Sequence, residues 1–179
     1  MRIRRFILTG MPGSGKTSVI QALEKQGYTV VHEAATAIIT QEQATGIEHP
    51  WEHPDFIDKI VLAQKVKRGD LDEAPLQFYD RSPFCTYALA QYLKYPFSAE
   101  LLNEIDHCLN NKSYQRTVFF FENLGFIEPT DARKITYEEA LVFEQIHLDI
   151  YTQFGFDLIR VPSDLTIEQR CHFITEHTI

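Results

Sequence analysis

Several things are scarce in this chain of 179 residues. There are three cysteines, Cys85, Cys108 and Cys171. They are too few and too scattered for a disulfide or zinc framework, and reduced thiols are the simple expectation. No segment approaches 18 consecutive apolar residues, so no membrane-spanning helix is expected. The opening MRIRRFILTG has the basic start of a secretory leader, but its apolar run is short and is followed at once by proline and glycine. Positive charge is also short. Seventeen Lys and Arg stand against 25 Asp and Glu, a net charge of −8, with a pI near 5.3. That balance argues against a nucleic-acid face, which needs a basic surface. The reduced thiols make a cytoplasmic protein the expectation. Internal repeats, low-complexity tracts and long linkers are missing as well. What remains is ordinary globular composition, 44% hydrophobic and 23% charged, long enough for one domain with its own core.

Against that background one stretch stands out, Phe6 to Thr17, FILTGMPGSGKT. Gly10, Gly15, Lys16 and Thr17 fit G-x-x-x-x-G-K-S/T. Gly10, Gly13 and Gly15 let backbone bend around a phosphate without a Cβ in the way. The amides from Gly13 to Thr17 can then form an anion nest at a helix N-terminus. Lys16 supplies a charge for the β- and γ-phosphates, and the Thr17 hydroxyl can ligate Mg²⁺. The expected nucleotide-binding set is Gly10, Pro12, Gly13, Ser14, Gly15, Lys16, Thr17 and Ser18. Its context agrees: Arg5–Leu8 reads as a buried strand, and a helix follows from Ser14 to a stop at Gly27.

Strands and helices then alternate. Tyr28–Val31, Leu76–Tyr79, Thr117–Phe121 and Phe156–Val161 read as further strands. Helices are expected from Ala34 to about Ala44 and from Asp55 to about Arg68, the latter with Phe56, Ile60, Ala63 and Val66 near one face. Pro83 opens another reaching about Leu93, and Ser98 caps one carrying Leu101, Leu102, Ile105 and Leu109. Thr136-x-x-Glu139 and Thr166-x-x-Gln169 are capping boxes. The first opens a long helix to about Phe154, and the second a final helix burying Ile167, Cys171 and Ile174. The pattern predicts an α/β domain with five strands in a mostly parallel sheet and helices on both faces. The helical faces around Phe84–Leu93 and Leu101–Leu109 are candidates for pairing chains, as monomer or homodimer.

In such sheets ligands sit beyond the carboxyl ends of the strands. Asp80 stands there after the third strand, able to reach Mg²⁺ through water, to take a proton from an acceptor hydroxyl, or merely to cap a helix. Hydrolytic AAA+ motors follow that aspartate with glutamate, but here Arg81 follows, suited to an anionic group or to an ion pair with Asp80. Glu33, after the second strand, is a second carboxylate for an acceptor, or a first-turn acid favoured by the helix dipole. Glu122 reads as a hinge group. Residues 122–135 read as a flap in which Arg133, beside Lys134, could meet charge developing in phosphoryl transfer. His49, Trp51 and His53 lie among prolines and read as a packed loop. His147, on the long helix, reads as core or surface. A Ras-like GTPase is disfavoured, because Asn111-Lys112-Ser113-Tyr114 lacks the aspartate of N-K-x-D.

Taken together, GMPGSGKTS, VVHEA, YDRSP, Asp131-Ala132-Arg133 and FGFDLIRVP resemble the AAA-domain ATPase/kinase family. That family includes NadR-type nicotinamide riboside kinases and related P-loop nucleotide kinases. The resemblance implies a P-loop kinase core with sheet order 2-3-1-4-5 and a flap before the long helix. It implies that Lys16 and Thr17 hold ATP and Mg²⁺ and that Glu33, Asp80 and Arg81 face the acceptor. It also implies that Arg133 closes from the flap and that Val161-Pro162-Ser163 borders the base. One departure stands out: an arginine is expected soon after the strand-two glutamate, but this chain reads Glu33-Ala34-Ala35-Thr36-Ala37. Two functions follow as expectations. One is a kinase moving the γ-phosphoryl group of Mg-ATP to a nucleoside-like, nucleotide-like or other small acceptor. The other is an ATPase or regulatory nucleotide-binding module with no such acceptor.

Overall fold

The computed structural model describes residues 3–69, 74–125 and 135–178. Five strands form one parallel sheet: β1 (Arg4–Gly10), β2 (Thr29–Val31), β3 (Leu76–Asp80), β4 (Thr117–Phe121) and β5 (Asp157–Val161). Their spatial order is β2-β3-β1-β4-β5. β1 is longer than its sequence suggests, because Thr9 and Gly10 keep pairing with Phe120 and Phe121 of β4.

Among the described residues seven α-helices connect and cover the strands: α1 (Lys16–Lys25), α2 (Ala34–Ala44), α3 (Asp55–Gly69), α4 (Pro83–Tyr92), α5 (Ala99–Asn110), α6 (Tyr137–Gln153) and α7 (Ile167–Glu176). Successive strand residues point to opposite faces, so each strand feeds two cores. Phe6, Leu8, Phe78, Phe119 and Phe121 pack under α1 and α7 with Val19, Leu23 and Ile174. Ile7, Tyr79 and Val118 pack on the other face with Ile57, Phe84, Leu101, Ile105 and Tyr151 from α3, α4, α5 and α6.

The helix starts follow their signals. Ser98 accepts from the Leu101 amide, and both capping boxes form. Three expectations about faces do not hold. Val66 is 62% exposed, while α3 buries Phe56, Ile57, Ile60, Val61 and Gln64. Ten residues beyond Phe56, Val66 stands about 280° round the helix, away from that stripe. Ile167, at the first position of α7, is 47% exposed, and Arg170 takes the inward place beside Cys171 and Ile174. The face of α4 suggested for pairing chains is used internally, with Phe84, Cys85, Ala88 and Ala90 buried. No helix among the described residues is long and apolar enough to cross a membrane.

Candidate functional site

The carboxyl ends of β1, β2 and β3 bring three segments to one crevice. The first is the loop from β1 to α1. Gly13 and Gly15 have φ of 81° and 76°, a region where a side chain is strained. Gly10, at φ 151°, lies so close to β4 that a Cβ would stand 2.8 Å from the Phe121 carbonyl oxygen. These glycines are needed for the path of the loop itself. Gly15 sits at the N-cap of α1 with no side-chain cap, and the first turn carries no acid. The leading amides of α1 are therefore left for an anion, aided by the helix dipole. The Ser14 Oγ is buried without a hydrogen-bond partner among the described residues. Thr17 and Ser18 are exposed on the first turn of α1.

The second segment is the end of β3. Lys16 reaches from α1 and donates to Asp80 Oδ1, both side chains being 6% exposed. Arg81 follows with φ 70°, an uncommon left-handed conformation for a residue with a side chain, and its amide donates to the Leu8 carbonyl at 3.0 Å. No ion pair between Arg81 and its neighbour Asp80 forms, so that alternative is not realised. Arg81 instead pairs with Glu33 in the third segment, Nε to Oε1 at 2.7 Å. Burial disfavours its charge, but Glu33, Cys85 and Asp80 outweigh that and hold its pKa above the usual guanidinium value. Its Nη1 is buried with no hydrogen-bond partner among the described residues. Glu33, the residue before α2, also accepts from the Thr36 hydroxyl at 2.7 Å.

These groups open onto a cavity of about 360 Å³. Glu33, Arg81 and Glu139 are the charged residues that line it, and Ile39, Trp51, Phe56, Ile60, Leu89, Tyr92 and Phe143 make much of its wall apolar. Gln64 and Thr86 also line it, and the Thr86 hydroxyl donates to Gln64 Oε1 at 3.1 Å. With that oxygen engaged, the Gln64 amide nitrogen is left to donate. Where the resemblance led to the expectation of an arginine after Glu33, α2 presents Ala35, Thr36 and Ile39 to the cavity.

Cys85 lies at the edge of the cavity over a polar cluster that the sequence alone does not reveal. Its thiol shares hydrogen bonds with Tyr151 Oη at 3.0 Å and Thr9 Oγ1 at 3.3 Å, and Tyr151 shares another with Ser82 at 2.8 Å. Burial pushes the thiol pKa up, but His147, Arg81 and Thr9 together bring it down to about 6. His147 itself is core, 1% exposed, with Nδ1 2.9 Å from the Phe143 carbonyl oxygen.

Other expected groups lie elsewhere. Glu122 accepts from the Ser163 amide at 3.3 Å and so ties the turn after β5 to β4, as a hinge would. Pro162 is in that turn. His49 packs against Trp51 with ring centroids 5.3 Å apart, and the Tyr95 hydroxyl donates to the Trp51 carbonyl at 2.6 Å, which makes a packed loop. Arg133 and Lys134, with most of the expected flap, lie outside the described residues. Arg170 was missed by sequence reasoning. It is 4% exposed and donates to the carbonyls of Ser14 and Ser163, each at 2.9 Å. Only the burial of a cation on an otherwise apolar stripe of α7 could have signalled it.

Comparison with known proteins agrees with this architecture. Deoxyadenosine kinase from M. mycoides with bound dATP superposes with a TM-score of 0.60 at 14% identity, covering 98% of each chain. The same kinase with bound dCTP gives 0.61 at 14%, covering 97% of this chain and 98% of that one. NadR protein in complex with NAD and AMP-PNP gives 0.65 at 17%, covering 97% of this chain but 48% of NadR. At such identities the likeness shows the fold, an α/β P-loop kinase-like fold. No curated protein matches the sequence. The family model described as "AAA domain" matches residues 5–170, and the chain belongs to that family.

Proposed function

We propose that this chain is an ATP-dependent phosphotransferase whose acceptor is a small, uncharged, hydroxyl-bearing compound with a flat ring, of the nucleoside kind. The observation that carries this reading is the Glu33–Arg81 pair, set between the glycine loop and an open, mainly apolar cavity with aromatic side chains in its wall. A hydrolase needs no more than a place for one water there, whereas this site offers a mainly apolar cavity of ligand size. Arg81 is the cation lining the slot among the described residues, and Glu33 already offsets its charge. The slot therefore favours an uncharged acceptor over a phosphorylated one. The bound dATP, AMP-PNP and NAD of the similar structures accord with a nucleotide donor and a nucleoside-like partner.

In this reading the amides of Gly13 and of Gly15 to Thr17 hold the triphosphate, the Ser14 amide being given to the Met11 carbonyl at 3.3 Å, and Lys16 leaves Asp80 to meet the β- and γ-phosphates. The buried Ser14 hydroxyl and the uncapped first turn of α1 fit such an anion. The Thr17 hydroxyl and the Asp80 carboxylate are a donor set that suits Mg²⁺, which when bound offsets phosphate charge. Glu33 orients the acceptor hydroxyl and takes its proton. The acceptor oxygen bonds to the γ-phosphorus as the bond to the β–γ bridging oxygen breaks, and ADP leaves with that electron pair. Arg81 holds Glu33 in place and offers Nη1 to developing charge. Arg133 would add a second cation from the flap.

An acceptor screen scored by ADP release tests this. Nucleosides should stimulate release, and nucleoside monophosphates and sugars should not. ADP release that no acceptor changes would support the ATPase or regulatory reading instead.

A further inference from the structure

Arg170 is a buried cation with no part in the scheme above, and it touches the nucleotide loop from behind. Its Nη1 donates to the Ser14 carbonyl and its Nη2 to the Ser163 carbonyl, each at 2.9 Å. A Cβ on Gly15 would stand 3.1 Å from Nη1, so the guanidinium lies close against the loop. The carbonyl of Ser14 and the amide of Gly15 belong to one peptide group. A charged donor on the oxygen draws electron density toward it and makes the N–H a stronger donor. Burial lowers the pKa of Arg170 against the pull of Asp164 and Glu122, yet an arginine keeps its charge in a protein. Its Nε is buried with no hydrogen-bond partner among the described residues.

We propose that Arg170 is a positioning residue that polarises the Ser14–Gly15 peptide toward the nucleotide phosphates and locks the phosphate loop to the turn after β5. This rests on the phosphate site proposed above. It gives that loop positive character from a cation that never meets the ligand. It also explains why an arginine, costly to bury, occupies an inward position of α7.

Titration of Arg170→Lys and Arg170→Met with Mg-ATP and with inorganic tripolyphosphate tests the role, beside ligand-free melting and the Gly15 amide resonance by NMR. Lysine reaches one carbonyl where arginine reaches two. Arg170→Lys should stay folded, bind both ligands about tenfold more weakly, a loss of about 1.4 kcal/mol, and move the Gly15 amide proton upfield. Arg170→Met should lose more; should it fail to fold, the lysine variant decides. Lysine-variant affinity equal to the parent's, with an unmoved Gly15 resonance, would overturn the inference and leave the phosphate site intact. A parent protein that binds neither ligand would sink the phosphate site and this inference together.

Discussion

The ammonium group of Lys16 is bonded to the carboxylate of Asp80, and both side chains are almost wholly buried. The lysine of the glycine loop is thus stored on the carboxylate at the end of β3. Removing one partner of such a pair leaves an uncompensated charge. Lys16→Met should cost about 3–5 kcal/mol at neutral pH, and Lys16→Met with Asp80→Leu distinctly less. Urea unfolding measures both, and a single variant as stable as the parent would contradict the pairing.

The same lysine is the proposed phosphate ligand. Mg-ATP at about 100 times its Kd should stabilise the parent by about 2.7 kcal/mol, a rise in Tm of roughly 5–10 °C for a chain of this size. Lys16→Ala should lose that rise. A thermal shift retained in full by the variant would count against the site.

Glu33 and Asp80 are separable. Glu33 lines the cavity and pairs with Arg81, whereas Asp80 is held by Lys16. Glu33→Gln should lower acceptor-dependent kcat by about 10²–10⁴ with the Kd for ATP unchanged. Equal loss of ATP affinity would move Glu33 out of the acceptor role.

Cys85 provides a pH signature. Its folded pKa of about 6 lies below the ordinary value of 9.0, so the folded state favours the thiolate. The associated stability is complete above pH 9 and is lost as pH falls through 6. Urea midpoints of parent and Cys85→Ala across that window should diverge as pH rises. Parallel curves would show that the thiol does not titrate in this way.

Gly10→Ala tests the loop's path. Its Cβ would press on the Phe121 carbonyl from a strained φ. A loss of about 1–3 kcal/mol is expected, read by thermal or urea unfolding, and a neutral outcome would mean that β1 and β4 separate easily.

Much of this was legible because it is local. Gly13 and Gly15 make the turn of the loop through their own positive φ, and that geometry needs no distant partner. The two capping boxes and Ser98 are likewise closed within one turn, and they appear where the spacing places them. Less could be read where a side chain answers to a remote element. Gln64 looks like a polar residue on a surface turn of α3 until Thr86 of α4 fixes its amide. Val66 and Ile167 carry the right apolarity but stand outside the buried stripes.

The sequence by itself determined the alternation of strand and helix, the glycine loop and the carboxylates that end β2 and β3. Periodicity, backbone freedom and capping all act over a few residues. The tertiary structure decided who pairs with whom: Lys16 with Asp80, Arg81 with Glu33 rather than its neighbour, Arg170 with the back of the loop. Each pairing spans dozens of residues or more, and each depends on a parallel sheet bringing the ends of its strands to one edge.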